Sequence, residues 1–106
     1  MIVGSDLRYK DNIETMTNAT SFIESLHPCM YELKNDTEDK CCQYGLIAQE
    51  VEQAMQTLGL SSNNGIVHVD KKGFYGLAYT EFIPWIIRCL QEMNQRIKTL
   101  ESDATL

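Results

Sequence analysis

The spacing of apolar residues changes several times along the chain, and each change predicts a different element. Ile13, Met16, Phe22, Ile23 and Leu26 recur irregularly, with Thr17, Asn18 and Thr20 available as caps, which predicts a short helix over about Ala19–Leu26. Pro28 disfavours its continuation. Cys29 to Lys34 then alternates in the manner of a strand, the hydrophilic run Asn35–Lys40 reads as a turn, and Cys41–Gly45 reads as the returning strand. From Leu46 the period lengthens, so that Ile47, Val51, Ala54 and Leu58 share one face of an amphipathic helix stopping near Gly59. Ser61–Gly65 predicts a loop, Ile66–Asp70 a strand, and Lys71-Lys72-Gly73 a tight turn into Phe74-Tyr75.

The last third is the most regular. Ile83, Ile86, Leu90, Met93, Ile97 and Leu100 follow one another at intervals of 3, 4, 3, 4 and 3 residues, the spacing of a coiled-coil seam. Pro84 is compatible only with the start of that helix, and Ser102 to Leu106 are expected to fray. Beyond Met93 the polar residues Gln91, Glu92, Asn94, Gln95, Arg96, Lys98 and Glu101 leave Ile97 and Leu100 isolated, which predicts that other helices cover them. The seam alone is compatible with a dimer or a trimer. The expected fold is α+β: a small mixed domain of short helices and a few short strands, closed by a long C-terminal helix that associates with its copies.

Size and charge narrow the function. At 106 residues the chain supports one compact domain, and 15 Asp and Glu against 9 Lys and Arg give a net charge of -6. That balance argues against a phosphate-tracking nucleic-acid surface and against a polybasic membrane face. No spanning segment and no basic-then-apolar export signal is expected. Cys29, Cys41, Cys42 and Cys89 are accordingly expected to be reduced and structural. With His27 and His68 they complete no zinc spacing, so no metal or cofactor is expected.

Two segments carry candidate chemistry. Ser5 is followed five residues later by Lys10, with Asp6 and Arg8 between them, and a neutral lysine amine can act as base for a serine hydroxyl. Gly4, lacking a Cβ, leaves its carbonyl open and permits a strained backbone. Ser5 would lie on the leaving-group side of the Gly4–Ser5 bond, able to attack the Gly4 carbonyl through a five-membered ring. The second segment, Gly45-Leu46-Ile47-Ala48-Gln49-Glu50-Val51, joins a strand to a helix. There Gln49 and Glu50 are either solvated in the first turn or turned back to order the N-terminal segment.

Taken together, Ser5-Asp6-x-Arg8-x-Lys10-x-Asn12-Ile13, Leu26-His27-Pro28-x-x-Tyr31, Gly45–Val51 and a tyrosine-led terminal helix from Tyr79 resemble the C-terminal intramolecular chaperone domain of endosialidase. This is the self-cleaving chaperone of phage tail spikes, tail fibres and neck appendages. The resemblance runs from Ser5 to about Leu100 and departs from the usual pattern at Cys29 and Pro84. It implies a homotrimer that assembles an upstream fibre or appendage domain of the same chain and then releases itself, acting in the cytoplasm of an infected bacterial host. By that resemblance Ser5 is the nucleophile, Lys10 its base and Gly4–Ser5 the scissile bond, with Asp6, Arg8, Asn12, Gln49 and Glu50 in supporting positions. Residues 1–4 would then be an upstream remnant, 5–106 the chaperone domain, and 79–102 its coiled-coil helix. Two other readings are a non-catalytic trimerisation module and the maturation domain of a membrane-bound transcription factor.

Overall fold

The computed structural model describes residues 2–34, 40–60 and 64–104. A 3₁₀ turn at Leu7–Tyr9 precedes α1 (Ala19–Glu24), β1 (Cys29–Tyr31), β2 (Gln43–Gly45), α2 (Ala48–Thr57), β3 (Val67–Val69) and β4 (Tyr75–Leu77). A second 3₁₀ turn at Tyr79–Glu81 leads into the long α3 (Phe82–Ala104). The strands form two separate antiparallel hairpins, β1 with β2 and β3 with β4. The fold is thus the expected α+β mixture. Its strands are shorter than the alternation suggests, each three residues long, because pairing ends where no opposite residue continues the ladder. The turn expected at Asn35–Lys40 and the loop at Ser61–Gly65 lie largely outside the described residues.

Local chemistry explains where the helices stop. Gly59 takes φ 71° behind α2, while Leu60 N donates to Met55 O at 2.9 Å and Gly59 N to Gln56 O at 3.1 Å, the paired bonds of a glycine-terminated helix. Pro84 sits in the first turn of α3, where its missing N–H leaves no intrahelical bond unmade.

The core gathers Phe22, Val51, Ala54, Met55, Ile66 and Phe82, with Trp85 and Leu26 packed against it. Phe22 is fully buried, stacks on Phe82 at 6.2 Å between ring centroids and meets Trp85 at 4.7 Å. Burying such a ring contributes about 1.5–3 kcal/mol. Phe82, Trp85, Cys89 and Glu92 recur at helical spacing and form the inner face of α3, against which α1 makes the most extensive contact in the molecule.

A second stripe of α3, roughly 100° around the helix from that face, is bare. Ile83, Ile86, Ile87, Leu90, Met93, Ile97 and Leu100 are 44–67% exposed, and from Asn94 to Ala104 every residue is exposed. Those last eleven residues extend about 16 Å as a helix with no cover from their own chain. An uncovered helical stretch of that length is marginal in water.

The cysteines divide. Cys89 is buried with its Sγ 3.7 Å from Met93 Sδ, and half-buried Cys29 donates to Gly45 O at 3.3 Å. Cys41 and Cys42 are free thiols but exposed, so the expectation of a structural role holds for only two of the four.

The start of α1 is capped from a distance. Asn18 occupies the cap position in a left-handed conformation, φ 58°, and its side chain makes no capping bond. Glu92 of α3 does so instead: its carboxylate accepts from Thr20 N at 2.9 Å, Thr20 Oγ1 at 2.7 Å and Ala19 N at 3.3 Å. These bonds from Thr20 hold the Glu92 carboxyl below the ordinary glutamate range. The folded state therefore binds that proton less readily than the unfolded chain, and the stabilisation is fully present above about pH 4.3 and fades as pH falls below it. Melting followed by circular dichroism should show Glu92→Gln less stable than the parent at pH 7, with the difference shrinking as pH falls below about 4.3.

Candidate functional site

A tight turn brings Ser5 and Lys10 together. Asp6 caps the Leu7–Tyr9 turn, its Oδ1 accepting from Arg8 N at 2.8 Å, and Lys10 N then donates to Leu7 O at 3.1 Å. The chain doubles back and Lys10 Nζ donates to Ser5 Oγ at 2.8 Å. A neutral amine at the same distance would accept the hydroxyl proton instead. Arg8 closes a two-pronged pair on Asp6, Nε to Oδ1 at 3.1 Å and Nη2 to Oδ2 at 2.9 Å. That guanidinium and the Arg8 backbone N–H hold the Asp6 carboxyl below its usual range, so Asp6 is an anion that shapes the turn. It makes no hydrogen bond to Lys10 among the described residues.

Ser5 and Lys10 are both exposed, and no hydrogen bond among the described residues reaches the Gly4 carbonyl. Gly4 is not in the left-handed region, and a Cβ built on it meets nothing within 4 Å. The left-handed backbone that a glycine permits there is not used in the single chain. Asn12 is instead the bent position, with φ 53°, a conformation that asparagine tolerates better than most residues. Its contribution here is the path of the backbone behind Lys10.

Gln49 and Glu50 lie at the start of α2, both exposed, and neither hydrogen-bonds with residues 5–12 among the described residues. Glu50 Oε1 is 3.1 Å from His27 Nδ1, which ties α2 to the α1–β1 connection rather than to the N-terminal segment. The neighbouring Leu46 N donates to Tyr79 Oη at 3.0 Å, anchoring the strand-to-helix connection on the turn before α3. Gly45 makes this approach possible, since a Cβ there would lie 2.5 Å from the Tyr79 hydroxyl. The Gly45–Val51 block and the tyrosine-led helix are therefore one structural unit. An open groove of about 920 Å³ borders it, lined by Leu26, His27, Pro28, Tyr44, Tyr79 and Ile86, and contains no residue of the Ser5–Asn12 segment.

The residues that hold the chain just after that segment went unassigned in the sequence. Arg88 Nε donates to Met16 O at 2.9 Å, and Glu92 holds Ala19 and Thr20. On sequence both look like solvated positions of a coiled-coil helix; no local signal marks a partner 72 or 73 residues away.

No helix among the described residues is long and apolar enough to cross a membrane, and none of their side chains form a cluster able to hold a metal ion. No curated protein shows significant similarity to the chain. Among solved structures, a crystal structure described as a novel intramolecular chaperone superposes with a TM-score of 0.69 at 21% identity, covering 87% of this chain and 99% of that one. At that identity the likeness concerns the fold alone. The sequence model for the chaperone of endosialidase matches residues 5–60, more than half of the chain and the part that holds Ser5, Lys10 and the Gly45–Val51 block. With that match and a chaperone-type fold around it, the chain belongs to the chaperone of endosialidase family.

Proposed function

We propose that the chain is a C-terminal intramolecular chaperone that trimerises through α3, assembles an upstream phage fibre, tail-spike or neck-appendage domain of the same polypeptide, and then cuts itself free at Gly4–Ser5. The observation that carries the cleavage is the 2.8 Å contact between Lys10 Nζ and Ser5 Oγ, one residue past a peptide bond that the hydroxyl can reach without leaving its own residue. The bare stripe of α3 supports the assembly.

In this reading neutral Lys10 takes the Ser5 hydroxyl proton as Oγ adds to the Gly4 carbonyl carbon. The Gly4 C–N bond then breaks while Lys10 returns the proton to the departing Ser5 nitrogen. The ester left between Gly4 and Ser5 is hydrolysed by water, giving a Gly4 carboxylate and a fragment that begins with free Ser5. Tethering nucleophile to substrate removes much of the entropic cost of attack, so the demand left to the protein is to hold the rotamer and the base. Each chain cuts one bond once. The exposure of the dyad in a lone chain fits a site that closes on assembly, because neighbouring chains would exclude water and favour the uncharged form of a lysine.

With a folded reporter placed upstream of Met1, intact mass should reveal a fragment beginning at Ser5. Ser5→Ala and Lys10→Ala should both stay uncut while native mass still gives trimers. Uncut parent trimers would reduce the function to assembly alone. Asn12 supplies a finer test, since a β-branched residue at its φ costs about 1–2 kcal/mol and glycine does not. Asn12→Gly should cleave close to the parent rate and Asn12→Val more slowly, as read by the time course of fragment release.

A further inference from the structure

The segment that carries the dyad has little hold on the rest of the molecule. From Ser5 to Lys10 its hydrogen bonds are internal to the turn. Asn12 and Asn18 are the non-glycine residues with left-handed φ among those described, at 53° and 58°, so the strap between them bends at both ends. One side chain of α3 moors it directly, and a second, one turn on, holds the first residues of α1 just beyond its end. Arg88 Nε donates to Met16 O at 2.9 Å, and the Glu92 carboxylate accepts from the backbone N–H groups of Ala19 and Thr20. The two moorings brace each other, with Arg88 Nε 3.7 Å from Glu92 Oε2 and Arg88 Nη1 donating to Gln91 Oε1 at 3.2 Å.

At about 100° per residue, Arg88 and Glu92 lie on the side of α3 turned away from the bare stripe. A helix fixed on one face by its copies necessarily fixes what its other face holds. We propose that Arg88 and Glu92 are positioning residues that transmit the assembled state of α3 to the Ser5–Lys10 dyad through the Asn12–Asn18 strap. This rests on the self-cleavage reading above. Neither residue touches the reacting atoms. Their effect on rate comes from placement, to which such reactions are steeply sensitive: a displacement of about 1 Å can cost about 100-fold.

The test separates placement from assembly. The reporter-bearing chain is continued beyond Ala104, in heptad register, by a heterologous trimeric coiled coil, so that the oligomeric state no longer depends on either residue. In these fixed trimers Arg88→Ala and Glu92→Ala should release the Ser5 fragment at least about tenfold more slowly than the parent, the scale of a sub-ångström misplacement. Arg88→Lys, which keeps an N–H for Met16 O, should recover most of the rate. Amide exchange read on the same trimers should quicken over residues 12–20 in the alanine variants while α3 stays protected, a change that a defect confined to assembly would not produce. Parent-like cleavage and exchange in both fixed alanine variants would overturn the coupling while leaving self-cleavage intact. A fixed parent trimer that never cuts would overturn the self-cleavage reading and the coupling with it.

Discussion

The packing of α1 on the inner face of α3 is the constraint on which the other features depend. Phe22 is buried against Phe82 and Trp85, and the first N–H groups of α1 end on the Glu92 carboxylate because Asn18 leaves them uncapped. Apolar burial supplies most of the attachment and is not directional. The carboxylate supplies the direction, since its hydrogen bonds are satisfied in one register of α1 along α3. In the proposed coupling, the segment before α1 inherits that register, and the Ser5–Lys10 turn is placed relative to α3 through it.

α3 is consequently a helix with two occupations. One stripe belongs to its own domain. The other, from Ile83 to Leu100, is left 44–67% exposed by the single chain, and the last three turns of α3 have no cover from their own chain. The division gives physical sense to a dyad whose two members are in contact yet open to solvent. In the proposed self-cleavage, a lone chain has Ser5 and Lys10 paired but neither the exclusion of water nor the rigidity that attack on an amide requires. In the proposed function, a chaperone that cut before its copies had met would release itself from an unassembled fibre, and a site completed by assembly would order the two events.

Much of this was legible in the residues. The heptad spacing of the α3 seam, the helix stop at Gly59, the placement of Pro84 and the Ser5–Lys10 pair are local signals, and local structure follows them. The strands came out shorter than their alternation because ladder length is decided by the opposite strand as much as by the strand itself. Thr17, Asn18 and Thr20 looked like caps for α1, yet the cap is a glutamate from a helix more than 70 residues on, and Thr20 donates to it. Glu50 finds His27, and Asn12 acts through its backbone angle. Each of these depends on which elements meet in space, and a one-dimensional pattern carries no trace of that.

Attack of Ser5 on its own peptide bond is intramolecular, so any dependence of its rate on chain concentration must come from assembly. Following the fraction of cut chain by intact mass across a dilution series, from concentrations where native mass gives the trimer to those where it gives the monomer, tests the account most directly. The account predicts that the rate per chain rises with concentration and levels off once trimers dominate. One rate constant across the series, unchanged where the chains are monomeric, would contradict it.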